Sequence, residues 1–106
     1  MSDHVFEGGC LCGSVRYRVS GNPLTSGICH CRTCRRTGAA PMLPFVTFPF
    51  DRFDFTQGKP VDFHSSPLVT RSFCGRCGTP LTYRHQEQAG AIDVMTCSLD
   101  NPEAFP

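Results

Sequence analysis

Between Ser14 and Ser20 the chain alternates strictly, with Val15, Tyr17 and Val19 separated by Arg16 and Arg18. A period of two puts the three large apolar side chains on one face and the arginines on the other, which predicts a strand with one wet side. Gly21-Asn22-Pro23 supplies the turn that closes it. Runs of β-branched and aromatic residues recur at Phe45-Val46-Thr47-Phe48, Phe53-Asp54-Phe55, Leu68 to Phe73, Leu81-Thr82-Tyr83 and Ile92-Asp93-Val94-Met95. Six or more short strands are expected from them. No segment sustains an apolar period of 3.6 over three turns; the best helix is the short run Cys31 to Thr37, ended by Gly38. Without a repeat, a linker or a low-complexity tract, residues 1–106 read as one all-β domain.

Composition sharpens this picture. Ten Gly, nine Pro and eight Cys stand beside only 40% hydrophobic residues, so apolar burial is marginal for this length and a cross-link is expected. The N-terminal residues Met1-Ser2-Asp3-His4-Val5-Phe6 show neither a basic stretch nor the apolar core of a secretory signal. That predicts a cytoplasmic, reducing location, where closely spaced cysteines serve as metal ligands and not as disulfides. The most apolar stretch, Ala39 to Phe50, contains Pro41, Pro44 and Pro49 and falls short of the roughly 20 residues of a spanning helix, so membrane insertion is not expected. A formal charge of +1 gives no electrostatic footprint for nucleic acid. The nine Phe and two Tyr are expected to fill a β core. Nothing marks an oligomeric state.

The chemistry lies in the cysteines. Seven of the eight fall into three clusters, Cys10-Leu11-Cys12-Gly13, Cys29-His30-Cys31-Arg32-Thr33-Cys34 and Cys74-Gly75-Arg76-Cys77-Gly78, and Cys97 stands apart. A C-x-x-C turn sets two sulfurs about as far apart as two corners of a zinc tetrahedron, and a following Gly allows the left-handed backbone such turns need. In an extended segment C-x-C directs both sulfurs to one face. Cys10, Cys12, Cys74 and Cys77 thus make up the four thiolates of a closed structural zinc site. Cys29, Cys31 and Cys34 supply three, leaving a fourth position either open for water or substrate or filled by Cys97, His30 or His64. Arg32, Arg35 and Arg36 crowd this second site and would favour thiolates or hold an anionic ligand.

The pattern G-x-C-x-C-G, C-H-C-x-x-C and F-C-x-x-C-G-T, read at Gly8 to Gly13, Cys29 to Cys34 and Phe73 to Thr79, resembles the glutathione-dependent formaldehyde-activating enzyme family. Leu99-Asp100-Asn101-Pro102 resembles its C-terminal L-D-x-P signature, and Val15-Arg16-Tyr17 and Arg71 extend the likeness over nearly the whole chain. The resemblance implies a β-tent type of fold, small antiparallel sheets organised around two zinc ions. It implies a structural zinc on Cys10, Cys12, Cys74 and Cys77, a catalytic zinc on Cys29, Cys31 and Cys34, and a carbon-sulfur lyase type of activity joining glutathione to formaldehyde. Two departures stand out: Cys97 where relatives tend to have a small residue, and the absence of a Trp-containing segment after the L-D-x-P element. The competing expectation, drawn from the likeness to centromere protein V, is a non-catalytic binding module in which both zinc ions are structural.

Overall fold

The computed structural model describes residues 4–105. Among them the chain forms nine strands, β1 (Val5–Gly9), β2 (Arg16–Ser20), β3 (Thr25–Cys29), β4 (Leu43–Pro49), β5 (Phe53–Gln57), β6 (Val61–Ser66), β7 (Val69–Phe73), β8 (Pro80–His85) and β9 (Ala91–Met95). A single α-helix, α1 (Arg32–Gly38), lies between β3 and β4. Two antiparallel sheets result, one of three strands in the order β1-β2-β5 and one of six in the order β3-β4-β9-β8-β7-β6. The expected all-β architecture of small antiparallel sheets is therefore present. No helix among the described residues is long and apolar enough to cross a membrane.

The core forms where the inner faces of the two sheets meet. The alternation read from the sequence buries Val15, Tyr17 and Val19, and Val46, Phe48, Ile92 and Val94 join them from the large sheet. Phe6 and Phe105 close one margin, their rings 5.1 Å apart and each within 6.3 Å of Phe48. Tyr17 brings a polar tip into this core, and its hydroxyl is paired with Ser98 Oγ at 2.6 Å, as a buried phenol requires.

The residues shared with the L-D-x-P signature turn out to meet in space. Arg16 grips Asp100 with its two terminal nitrogens, Nη1 and Nη2, at 2.9 and 2.5 Å, and the Asp100 N–H donates to the Glu7 carbonyl. Gly8 bridges to Leu99, and a Cβ at Gly8 would collide with the Ser98 carbonyl and the Tyr17 hydroxyl. These residues clasp the C-terminal segment to the small sheet.

Two local expectations need correction. Gly38 does not end the helix: it is the last helical residue, where a Cβ would press on Leu43, and the left-handed turn falls on Ala39 at φ 49°. Packing against β4 claims the glycine, and the strained conformation passes to its neighbour. Cys10-Leu11-Cys12 is a tight turn and not extended chain, closed by Gly13 N–H to the Cys10 carbonyl at 3.1 Å with Gly13 at φ 81°.

Candidate metal centres

The quartet forms where the two sheets are drawn together. Cys10 and Cys12 follow β1 of the small sheet, and Cys74 and Cys77 occupy the turn from β7 to β8 in the large one. Their sulfurs lie within 4.8 Å of one another, with Cys10 to Cys12 at 3.6 Å and Cys12 to Cys74 at 3.7 Å. Sulfurs at the corners of a zinc tetrathiolate, with bonds near 2.3 Å, are about 3.8 Å apart. The donor set fits such an ion.

Backbone and hydroxyl donors converge on these sulfurs. Val15 N–H donates to Cys10 Sγ at 3.3 Å, and Arg76 and Cys77 N–H donate to Cys74 Sγ at 3.3 and 3.4 Å. Thr79 Oγ1 lies 3.2 Å from Cys77 Sγ and also accepts from the Leu11 N–H, tying the two turns to each other. The Thr79 contact brings the Cys77 thiol down to about 5. Burial pushes the Cys10 thiol up, but the Val15 N–H and the Ser14 hydroxyl outweigh it and bring the group to about 7. These contacts favour thiolates at Cys10 and Cys77, whereas the Cys12 thiol is raised. Gly78, at φ 83°, takes the left-handed conformation expected after the C-x-x-C.

The trio is built differently. Cys29 ends β3, Cys31 is the N-cap residue of α1, and Cys34 is buried on the first turn of that helix. Cys31 Sγ caps the helix by accepting from the Cys34 N–H at 3.3 Å, and this bond brings the Cys31 thiol to about 7. Burial pushes Cys34 up to about 12. Cys29 and Cys31 sulfurs are 3.4 Å apart, and all three lie within 4.8 Å of one another. The trio also fits a metal ion, with three protein donors.

A cavity of about 420 Å³ is lined by all three cysteines of the trio, whereas no quartet cysteine lines it. A larger cavity, of about 720 Å³, lies elsewhere, among Phe53, Phe55, His64 and Arg84, and no cysteine lines it. Among the described residues no His, Cys, Asp or Glu joins the trio as a fourth donor. Cys97 is exposed on a short 3-10 turn, His30 is exposed between the ligating cysteines, and His64 pairs with Thr70 on the far side of the large sheet.

The basic residues divide in an unexpected way. Arg32, Arg35 and Arg36 are exposed on α1, and none of them lines the cavity. Arg71 does: its Nη2 lies 3.6 Å from Cys34 Sγ, its Nε donates to Ser65 Oγ at 3.0 Å, and its guanidinium sits 4.9 Å from the Tyr83 ring centre. Sequence proximity did not point to Arg71, because β7 is remote in the chain from the trio and adjacent to it in space. Asp93, Thr47, Thr25 and Tyr83 also line the cavity. The signal for Asp93 was a carboxylate between Ile92 and Val94, which an alternating strand must turn away from the core.

The described residues form a small, mostly β protein with two cysteine groups that could hold metal ions, a quartet between its sheets and a trio at a cavity. The chain belongs to the glutathione-dependent formaldehyde-activating enzyme family, whose model matches residues 5–106. A solved crystal structure of a Rhodobacter sphaeroides protein shares the fold, with a TM-score of 0.75 and 21% identity over 89% of this chain and 87% of that one. No curated protein matches the chain.

Proposed function

We propose that this protein adds a thiol, glutathione or a close analogue, to a small aldehyde such as formaldehyde at a zinc ion held by Cys29, Cys31 and Cys34. A second zinc, held by Cys10, Cys12, Cys74 and Cys77, is structural. Family membership supports the reaction, and the observation that carries the assignment of roles is that the trio lines a cavity to which no quartet cysteine contributes. Zinc bound at the trio would supply a lowered thiol pKa, so that the substrate's sulfur is a thiolate near neutral pH.

The chain's own residues account for the rest. In the addition, the sulfur–carbon bond forms, the carbonyl π pair moves to oxygen, and that oxygen takes up the proton the thiol gave away, giving a hydroxymethyl thioether. Arg71, held against Tyr83 and Ser65, keeps positive charge beside Cys34 and favours thiolate character at the trio. Phe45 and Met95 give the cavity apolar walls, which strengthen electrostatic contacts within it. The part left to Arg32, Arg35 and Arg36 is to draw an anionic thiol towards the site from its exposed rim.

The reading with both zinc ions structural needs a fourth protein donor at the trio, and Cys97, His30 and His64 stand outside that group. The test is to follow formation of S-hydroxymethylglutathione by NMR in the presence of zinc-loaded protein. Acceleration over the spontaneous reaction, lost in Cys31→Ser, is expected. A protein holding two zinc ions per chain and giving no acceleration overturns the proposal.

A further inference from the structure

The floor of the trio's cavity is a single row of side chains. Arg71 on β7 pairs with Tyr83 on β8, Tyr83 with Asp93 on β9, Asp93 with Thr47 on β4, and Thr47 with Thr25 on β3. All five line the cavity. Directly paired residues of antiparallel strands project from the same face. With strands about 4.8 Å apart, the basic and the acidic member of the row are separated by about 10 Å of sheet, with the Tyr83 phenol between them.

The two charges are not in the same condition. Arg71 has partners at every side: the Cys34 sulfur, the Ser65 hydroxyl and the Tyr83 ring. Asp93 has one hydrogen bond, accepted from Thr47 Oγ1 at 2.5 Å, and among the described residues no cation pairs with it. Its neighbours along the row are an uncharged phenol and an uncharged hydroxyl, and burial pushes its carboxyl up. A half-buried carboxylate with one hydroxyl for company is costly to keep. Facing an open cavity, it supplies a place where an incoming positive group is held.

Building on the thiol-addition reading above, we propose that Asp93 is a specificity-determining residue that receives the primary ammonium group of the substrate thiol while the thiol's sulfur reaches the trio. The substrate class is thereby narrowed to thiols that carry an amine. Thr47 fixes the carboxylate by donating to one of its oxygens, leaving the other for the ammonium. The γ-glutamyl amine of glutathione has the required chemistry, and an N-acylated glutathione lacks it.

The zinc-loaded full chain is titrated with glutathione and with N-acetylglutathione by calorimetry, without aldehyde. Wild type is expected to bind glutathione about tenfold or more tightly than the acylated thiol, as one charge-assisted contact provides. Asp93→Asn, which keeps an acceptor for Thr47, removes that preference, and in turnover the loss falls on KM for glutathione and not on kcat. Zinc content and melting temperature establish that the variant is folded, and the two-thiol comparison in wild type stands without it. Equal affinity of wild type for both thiols overturns the proposal, and so does a fall in kcat of Asp93→Asn that is the same for both, which would make Asp93 a proton carrier. Failure of wild type to bind either thiol counts against the thiol-addition reading itself.

Discussion

The quartet and the trio use the same ligand atom and are matched in sulfur spacing, yet they sit in opposite kinds of place. The quartet draws its sulfurs from two turns separated by more than half the chain and joins two sheets, with N–H donors at Cys10 and Cys74, Thr79 at Cys77 and Ser14 at Cys12. The trio takes all of its sulfurs from one strand end and one helical turn, and faces a cavity. Chain separation fits the difference in role proposed for them: a cross-link between distant segments stabilises a fold, whereas three ligands from one local segment hold an ion without needing the rest of the molecule to close around it. The clasp of Arg16, Tyr17, Ser98 and Asp100 belongs to the quartet's side of this division, supporting the small sheet at a distance from the cavity.

The sharpest way to break the comparison is to remove one sulfur from each group. Cys74→Ala is expected to abolish the folded state, because losing a structural metal outweighs the roughly 5–15 kcal/mol by which small domains are stable; circular dichroism would read it. Cys34→Ala is expected to leave a folded protein with one zinc per chain and background activity, measured by metal analysis and a thermal melt. Should both variants unfold alike, the two groups would not differ in the way described.

Smaller effects sharpen the division. Gly8→Ala drives a methyl into the Ser98 carbonyl and the Tyr17 hydroxyl, and a loss of about 1–3 kcal/mol in urea unfolding is expected, as for other overpacked sites. Asp100→Asn removes an ion pair whose carboxylate is more than half exposed, so at most about 1 kcal/mol is lost near neutral pH. Arg16 holds the Asp100 carboxyl below its ordinary range. The pair therefore stabilises fully above the ordinary carboxylate pKa, and its contribution disappears as pH falls through the depressed value. Acid titration of stability should show this limb in wild type and lack it in the variant. Cys97→Ala should change neither zinc count nor zinc retention, since that thiol stands outside both groups.

Much of this could be read from the chain because it depended on local chemistry. The C-x-x-C and C-x-C spacings named both sulfur groups, and the alternation through Val15, Tyr17 and Val19 named a core face that is almost wholly buried. The strands that escaped, β1, β3 and β6, are all edges of their sheets. An edge strand has less of its surface covered, as the largely exposed β6 residues illustrate, so it carries little apolar periodicity to detect. The cavity was hidden for another reason. Its floor takes one residue from each of five strands, and only register across the sheet brings Arg71, Tyr83, Asp93, Thr47 and Thr25 into a row.

Counting zinc released from the purified protein under rising chelator, with and without glutathione, bears most directly on the inequality of the two metal centres. One ion per chain should leave early, at a chelator concentration that glutathione shifts, and the other should leave only as the fold is lost. A single release step of both ions, indifferent to glutathione, would contradict the account.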